Sequence, residues 1–201
     1  MKQNFRSSPG RAQRGVALLT SLLILVIVSL VAVSMYRSFG TQESIAGNTL
    51  EKQRSLQAAE SAVRYGEWWL GEEGNAGSGG ACSGTVDGNV LSNMRICGIG
   101  SQLVNPGTLP WSSSITYQPP QMPVLATGKV NTDPTKGTVG DVNYAATPAL
   151  HIALLEDGTG RKVYQVTGVG YGGRDSTVSV VQSVYAYTWS TTKDLSGEPT
   201  Q

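Results

Sequence analysis

The chain has 201 residues, of which 14% are charged, with 25 glycines, two cysteines, one histidine and a formal net charge of +1. So low a charge content excludes disorder driven by self-repulsion, and one His beside two thiols excludes a zinc site. Residues 1–15 hold four of the fifteen basic residues and no acid, which leaves 11 basic against 14 acidic residues beyond them. No basic run follows Arg37, so no footprint for a nucleic-acid partner is present.

The chain opens with a basic leader, MKQNFRSSPGRAQRG, that ends on Gly15. Residues 16–36 then supply 21 positions without a charge. As a helix they span about 31 Å, close to the roughly 30 Å of a bilayer's hydrocarbon. Four positive charges before the run and Arg37 alone behind it predict a cytoplasmic N-terminus, with residues 37–201 across the membrane. Three readings compete at this point. A secretory signal would be cut at the small pair Ala32 and Ser34, before Met35, but the apolar run is longer than the roughly 7–15 residues such signals use. A permanent anchor explains the length and flanks, yet not the abrupt boundary Arg14-Gly15-Val16. The third reading is a processed helix built to pack into a fibre.

Beyond Tyr36, residues 37–70 read as an amphipathic continuation of the helix. Leu56, Ala59, Val63 and Leu70 recur at helical spacing with Ala62 beside them, and Glu60 precedes Arg64 by four. Ile45, Ala46 and Leu50 add apolar positions, while Gly40 and Gly47 each weaken the helix by about 1 kcal/mol relative to Ala. A helix from Val16 to about Leu70 is about 80 Å long, hydrophobic all round in its first half and one-sided in its second.

Residues 71–201 read as a globular head. A Gly/Ser-rich loop over 71–93 contains Cys82, and Cys97 follows. Behind a membrane segment this even pair predicts a disulfide in an oxidising compartment, with two buried thiols as the alternative. The Pro-rich stretch 94–147 predicts short strands near 95–99 and 115–118. ALHIALLE then reads as a strand with Leu150, Ile152 and Leu154 on one face, and Asp157-Gly158 as the hairpin turn. Strands over 162–171 and 176–189 complete an antiparallel meander packed on the helix. On the last strand Val178, Val180, Val184 and Ala186 share one face and Val181, Tyr185, Tyr187 and Trp189 the other.

Candidate chemistry is sparse. Gly168, Gly170 and Gly173 match G-x-G-x-x-G, but a strand follows where a dinucleotide site needs a helix N-terminus. His151 lies in an apolar strand with no Ser or Cys elbow beside it. Glu72-Glu73, Asp133, Asp141 and Glu156-Asp157 lack the spacing of a calcium loop and read as solvated surface. Tyr185, Tyr187 and Trp189 read either as an exposed partner stripe or as side chains buried against the helix. No catalytic, cofactor or metal site is read here.

RGVALLTSLLILVIVSL, the later IAGN and LQAAESAVRYGE, and the tail KVYQVTGVGYGGRDSTVSVVQSVY resemble PilX-type minor pilins of the type IV pilus, densely over 14–67 and 162–185 and thinly between. The resemblance implies an α+β pilin-like fold, a long N-terminal helix packed on an antiparallel β-sheet, and a structural rather than enzymatic role. It implies cleavage by the prepilin peptidase between Gly15 and Val16, N-methylation of Val16, and a helix that leaves the inner membrane for the filament core. Implied partners are other minor pilins, the major pilin and a tip adhesin of the PilY type. Two positions depart from most pilins, which carry Phe and Glu where this chain has Val16 and Thr20. A carboxylate in an apolar core is costly unless it meets a cation, which in pilins is the terminal amine of a neighbouring subunit. A subunit without it suits the first place in a fibre, so Thr20 implies a tip or initiation role. The K-type minor pseudopilin of type II secretion shares the missing Glu but usually carries a larger inserted domain. A permanently anchored periplasmic binding domain is the rival of a different class.

Overall fold

Unbroken helix-forming, apolar sequence makes one helix of the first part of the chain, α1 (Arg14–Gly71), and β-branched residues make strands of the last part. The computed structural model describes residues 14–120, 122–124, 129, 131–132, 139–140 and 143–189. Most of the leader, Asp133, Pro134 and Asp141 lie outside the described residues.

The chain divides within α1 into two units, Met1–Asn48 and Thr49–Gln201. In the first, α1 passes through Gly40 and Gly47 without interruption. A methyl group at either glycine would meet nothing within 4 Å, so neither glycine serves a close approach.

The second unit contains the last turns of α1 and a five-stranded sheet in the order β1 (Gly84–Asp87), β2 (Ser113–Thr116), β3 (Ala149–Gly158), β4 (Arg161–Tyr171) and β5 (Val178–Thr188). Strands β3, β4 and β5 form the expected antiparallel meander. The β1–β2 pair is parallel, an arrangement the alternation of GTVD and SSIT does not announce. Ser55, Ala58, Ala59, Ala62, Val63, Gly66, Trp69 and Leu70 form the buried stripe of α1, recurring at i, i+3, i+4. Leu56 stands one position off this stripe and is exposed, contrary to its expected place in the core. Across from the stripe lie Leu150, Ile152 and Leu154 of β3 with Tyr164 and Val166 of β4, all fully buried or nearly so. Burying each of these aliphatic side chains stabilises the fold by roughly 1.5–3 kcal/mol.

Two expected elements are corrected. Residues 95–99 do not form a strand: Cys97 alone bridges Gly80 and Ala153, exchanging backbone bonds with Ile152 and Leu154 at 2.8 Å. It continues the edge of β3 beyond the two residues that β2 covers, and the turn at Ile99-Gly100 ends the extended backbone. The β3–β4 turn is Thr159-Gly160, not Asp157-Gly158, since Asp157 and Gly158 remain paired with Lys162 and Arg161. Gly160 takes φ +78°, a conformation that favours glycine. A bulge between Leu154 and Glu156 shifts the register that the sequence pattern alone would place.

Candidate functional site

In the first unit the site is the start of α1. Gly15 and Val16 lie in its first turns. From Val16 to Tyr36 every described side chain is exposed, including Leu18, Leu22, Leu25 and Val28, and none is charged. The polar residues of this segment bond to their own helix. Thr20 Oγ1 donates to Ala17 O at 3.0 Å, Ser21 Oγ to Leu18 O at 2.9 Å and Ser29 Oγ to Leu25 O at 2.7 Å. Such back-bonding satisfies each hydroxyl locally, so these side chains enter an apolar environment without an unpaired donor. α1 is long and apolar enough to cross a membrane. An uncharged aliphatic surface of this length can be buried by lipid tails or by other apolar helices.

In the second unit the glycine cluster of β4 proves to be the seat of the helix. A Cβ on Gly168 would lie 2.6 Å from Ala59 O, and one on Gly170 would lie 2.3 Å from both Ala59 N and Ser55 O. The missing side chains let the helix backbone rest directly on the strand. This contact is tied by a 2.7 Å bond between Ser55 Oγ and Ser179 Oγ, both buried. One helical turn earlier, Glu51 accepts from Gly173 N–H and pairs with Arg54 at 3.0 Å, while Lys52 Nζ donates to Val178 O. The G-x-G-x-x-G match is thus occupied by helix docking. The signal in the sequence was the pairing of small residues on both partners, Ala58, Ala59 and Ala62 against Gly168 and Gly170.

His151 is buried, with Nδ1 3.1 Å from Ser113 O and Nε2 2.9 Å from Ser101 O. It ties β2 to the loop at Ser101 through its ring nitrogens, and its neighbour Cys97, whose Sγ is 3.9 Å away, is held in a disulfide with Cys82. Among the described residues no group of three His, Cys, Asp or Glu side chains is placed to hold a metal ion. Glu72 and Glu73 are exposed, and Glu156 and Asp157 pair with Arg161 and Lys162 at 2.7 and 3.6 Å. The exposed Glu156–Arg161 pair contributes about 0–1 kcal/mol.

Tyr185 and Tyr187 pack half-buried against the core, whereas Trp189 stays exposed beside Tyr187, their ring centroids 6.1 Å apart. Tyr164, opposite Tyr185, donates its hydroxyl to Gly77 O at 2.9 Å, and burial pushes its pKa up to about 12. One aromatic cluster was not anticipated: Tyr65 stacks on Tyr117 at 4.1 Å and lies 5.6 Å from Trp68. Its sequence signal was the i, i+3 spacing of Tyr65 and Trp68 on α1; Tyr117, distant in the chain, gave none. A groove of about 520 Å³ lies between Leu50, Arg54 and Ala58 of α1 and Met122, Pro123 and Tyr144. Arg54 sits 4.5 Å above the Tyr144 ring as a cation–π contact.

Residues 14–64 match the family model described as PilX N-terminal. The comparisons with curated proteins and with solved structures find no match.

Proposed function

We propose that this chain, whose residues 14–64 match the family model described as PilX N-terminal, is a minor pilin of the type IV pilus that primes pilus assembly and takes the place at the tip. The observation that carries the reading is the uncharged surface of α1 over residues 16–36, with Thr20 bonded to its own helix at the position where most pilins carry Glu. A neutral hydroxyl already satisfied by Ala17 O asks for no cation from a subunit above it.

In this reading the prepilin peptidase cuts between Gly15 and Val16 on the cytoplasmic side, and the new Val16 amine is methylated. The basic leader supports an orientation with the N-terminus cytoplasmic and the head periplasmic. The helix waits in the inner membrane and then packs among the helices of other minor pilins and the major pilin. A tip adhesin of the PilY type is a further partner, and twitching motility and adhesion depend on the chain through the fibre it starts. Thr20 equally favours the K-type pseudopilin of type II secretion, which makes the same substitution.

Deleting the gene separates the two systems. Loss of surface pili with enzyme secretion intact, and immunogold label of the tagged chain at pilus ends in the complemented strain, are the expected results. Normal piliation with lost secretion transfers the chain to type II secretion, and label scattered along the shaft contradicts the tip position.

A further inference from the structure

Trp68, Tyr65 and Tyr117 form a graded series of rings at the margin of the core. Trp68 is 49% exposed, while Tyr65 and Tyr117 are partly buried against the core. The rings of Tyr65 and Tyr117 lie 8° from parallel with centroids 4.1 Å apart, closer than the roughly 4.5–7 Å usual for aromatic pairs. Trp68 stacks on Tyr65 at 5.6 Å and 29°. Among the described residues no other two tyrosine rings stack.

Both tyrosines are held in place. Ala62 and Trp69 fix this turn of α1 in the core, and Tyr65 donates its hydroxyl to Gly88 O at 2.6 Å. Tyr117 follows β2 directly, and its N–H donates to Pro148 O at 2.9 Å. Burial, then Tyr117 and Asp87, push the Tyr65 pKa up, and burial does the same at Tyr117. Both phenols therefore keep their protons near neutral pH, and oxidising either removes an electron and a proton together.

We propose that Tyr65 and Tyr117 are an oxidative modification site, at which a peroxide joins the two rings as an intramolecular dityrosine with Trp68 as the exposed entry. Each tyrosine gives up one electron and its phenolic proton. The two phenoxyl radicals pair their electrons in a bond between ring carbons ortho to oxygen. In a face-to-face pair that bond forms across the gap between the rings. The hydrogen on each joined carbon then moves to its oxygen and restores the phenol. Two hydrogen atoms leave the protein, and one hydrogen peroxide becomes two waters. The indole of Trp68 is the ring that the oxidant reaches, so it loses each electron first. Tyr65 refills it, and in the first of the two rounds Tyr117 refills Tyr65. The product ties α1 covalently to the residue after β2. This site goes beyond the assembly role and does not rest on it.

The test treats the full-length chain in detergent with hydrogen peroxide and a haem peroxidase, under conditions that dimerise N-acetyltyrosine. Trypsin then releases one peptide ending at Arg95 and another ending at Lys129, with Tyr65 and Tyr117 as their single tyrosines. The Cys82–Cys97 disulfide joins these peptides until it is reduced. After reduction they will stay joined, with the summed mass less two hydrogen atoms and the blue fluorescence of dityrosine. Tyr117→Phe, which keeps a ring in the stack, will abolish the joined species. Trp68→Phe will lower its yield severalfold. Peptides that separate on reduction overturn the site, and show the rings to be packing alone. A joined species that survives Tyr117→Phe also overturns it. So does one that pairs a light with a heavy peptide when isotope-labelled and unlabelled chains are mixed. An equal yield from Trp68→Phe overturns Trp68 as the entry.

Discussion

Replacing Gly170 by Ala will destabilise the head by about 3 kcal/mol or more, the upper end of what overpacking costs. The added methyl group would lie 2.3 Å from Ala59 N and from Ser55 O and 2.8 Å from Ala58 C. All three are backbone atoms, so no rotamer change relieves the clash; the helix must lift from β4. Lifting it stretches the Ser55–Ser179 bond and draws Glu51 away from Gly173 N–H. A stability of about 5–15 kcal/mol is typical of a domain, so a loss of this size is a large fraction of the total. Urea unfolding of the full-length chain in detergent, followed by tryptophan fluorescence, measures it. Gly107→Ala is the control, since a Cβ there meets nothing within 4 Å. Equal midpoints for the two variants would refute the docking account.

The second large effect belongs to the disulfide. Cys82 and Cys97 have Cα atoms 5.4 Å apart and close a loop of sequence separation 15. The bond fastens the segment that leaves α1 to the edge of β3, where Cys97 N–H donates to Ile152 O and Leu154 N–H to Cys97 O, each at 2.8 Å. By the loop entropy it removes from the unfolded chain, a closure of this size stabilises by roughly 3 kcal/mol. The double variant Cys82→Ala, Cys97→Ala will lower the unfolding midpoint by a matching amount and expose residues 72–98 to limited proteolysis. An unchanged midpoint would show that the backbone bonds of Cys97 hold this segment unaided.

What was legible in the sequence tracks the length and regularity of each signal. The apolar run 16–36 and the small-residue stripe after it specify α1 because both persist over many turns, and single glycines at 40 and 47 cost too little to end it. The alternating apolar residues of 149–158 and the β-branched residues of 161–171 and 178–188 specify the meander for the same reason. Strands β1 and β2 are four residues each and five of their eight positions are Ser, Thr or Gly, so neither alternation nor propensity marks them. Their parallel pairing depends on the crossover between them, which carries Cys97 to β3. The glycines of β4 were visible as a pattern, but their purpose was not, because a close approach is a property of two segments and the sequence shows only one at a time. His151 follows the same rule: its two carbonyl partners, Ser101 and Ser113, lie far from it in the chain.

The central claim is that the chain matures into a fibre subunit at the junction of Gly15 and Val16. Intact-mass and N-terminal analysis of the protein from membranes of strains with and without the prepilin peptidase tests it most directly. The account predicts a chain beginning at N-methylated Val16, present only when the peptidase is present. A chain that keeps residues 1–15 in both strains, or one that begins at Met35, would contradict it.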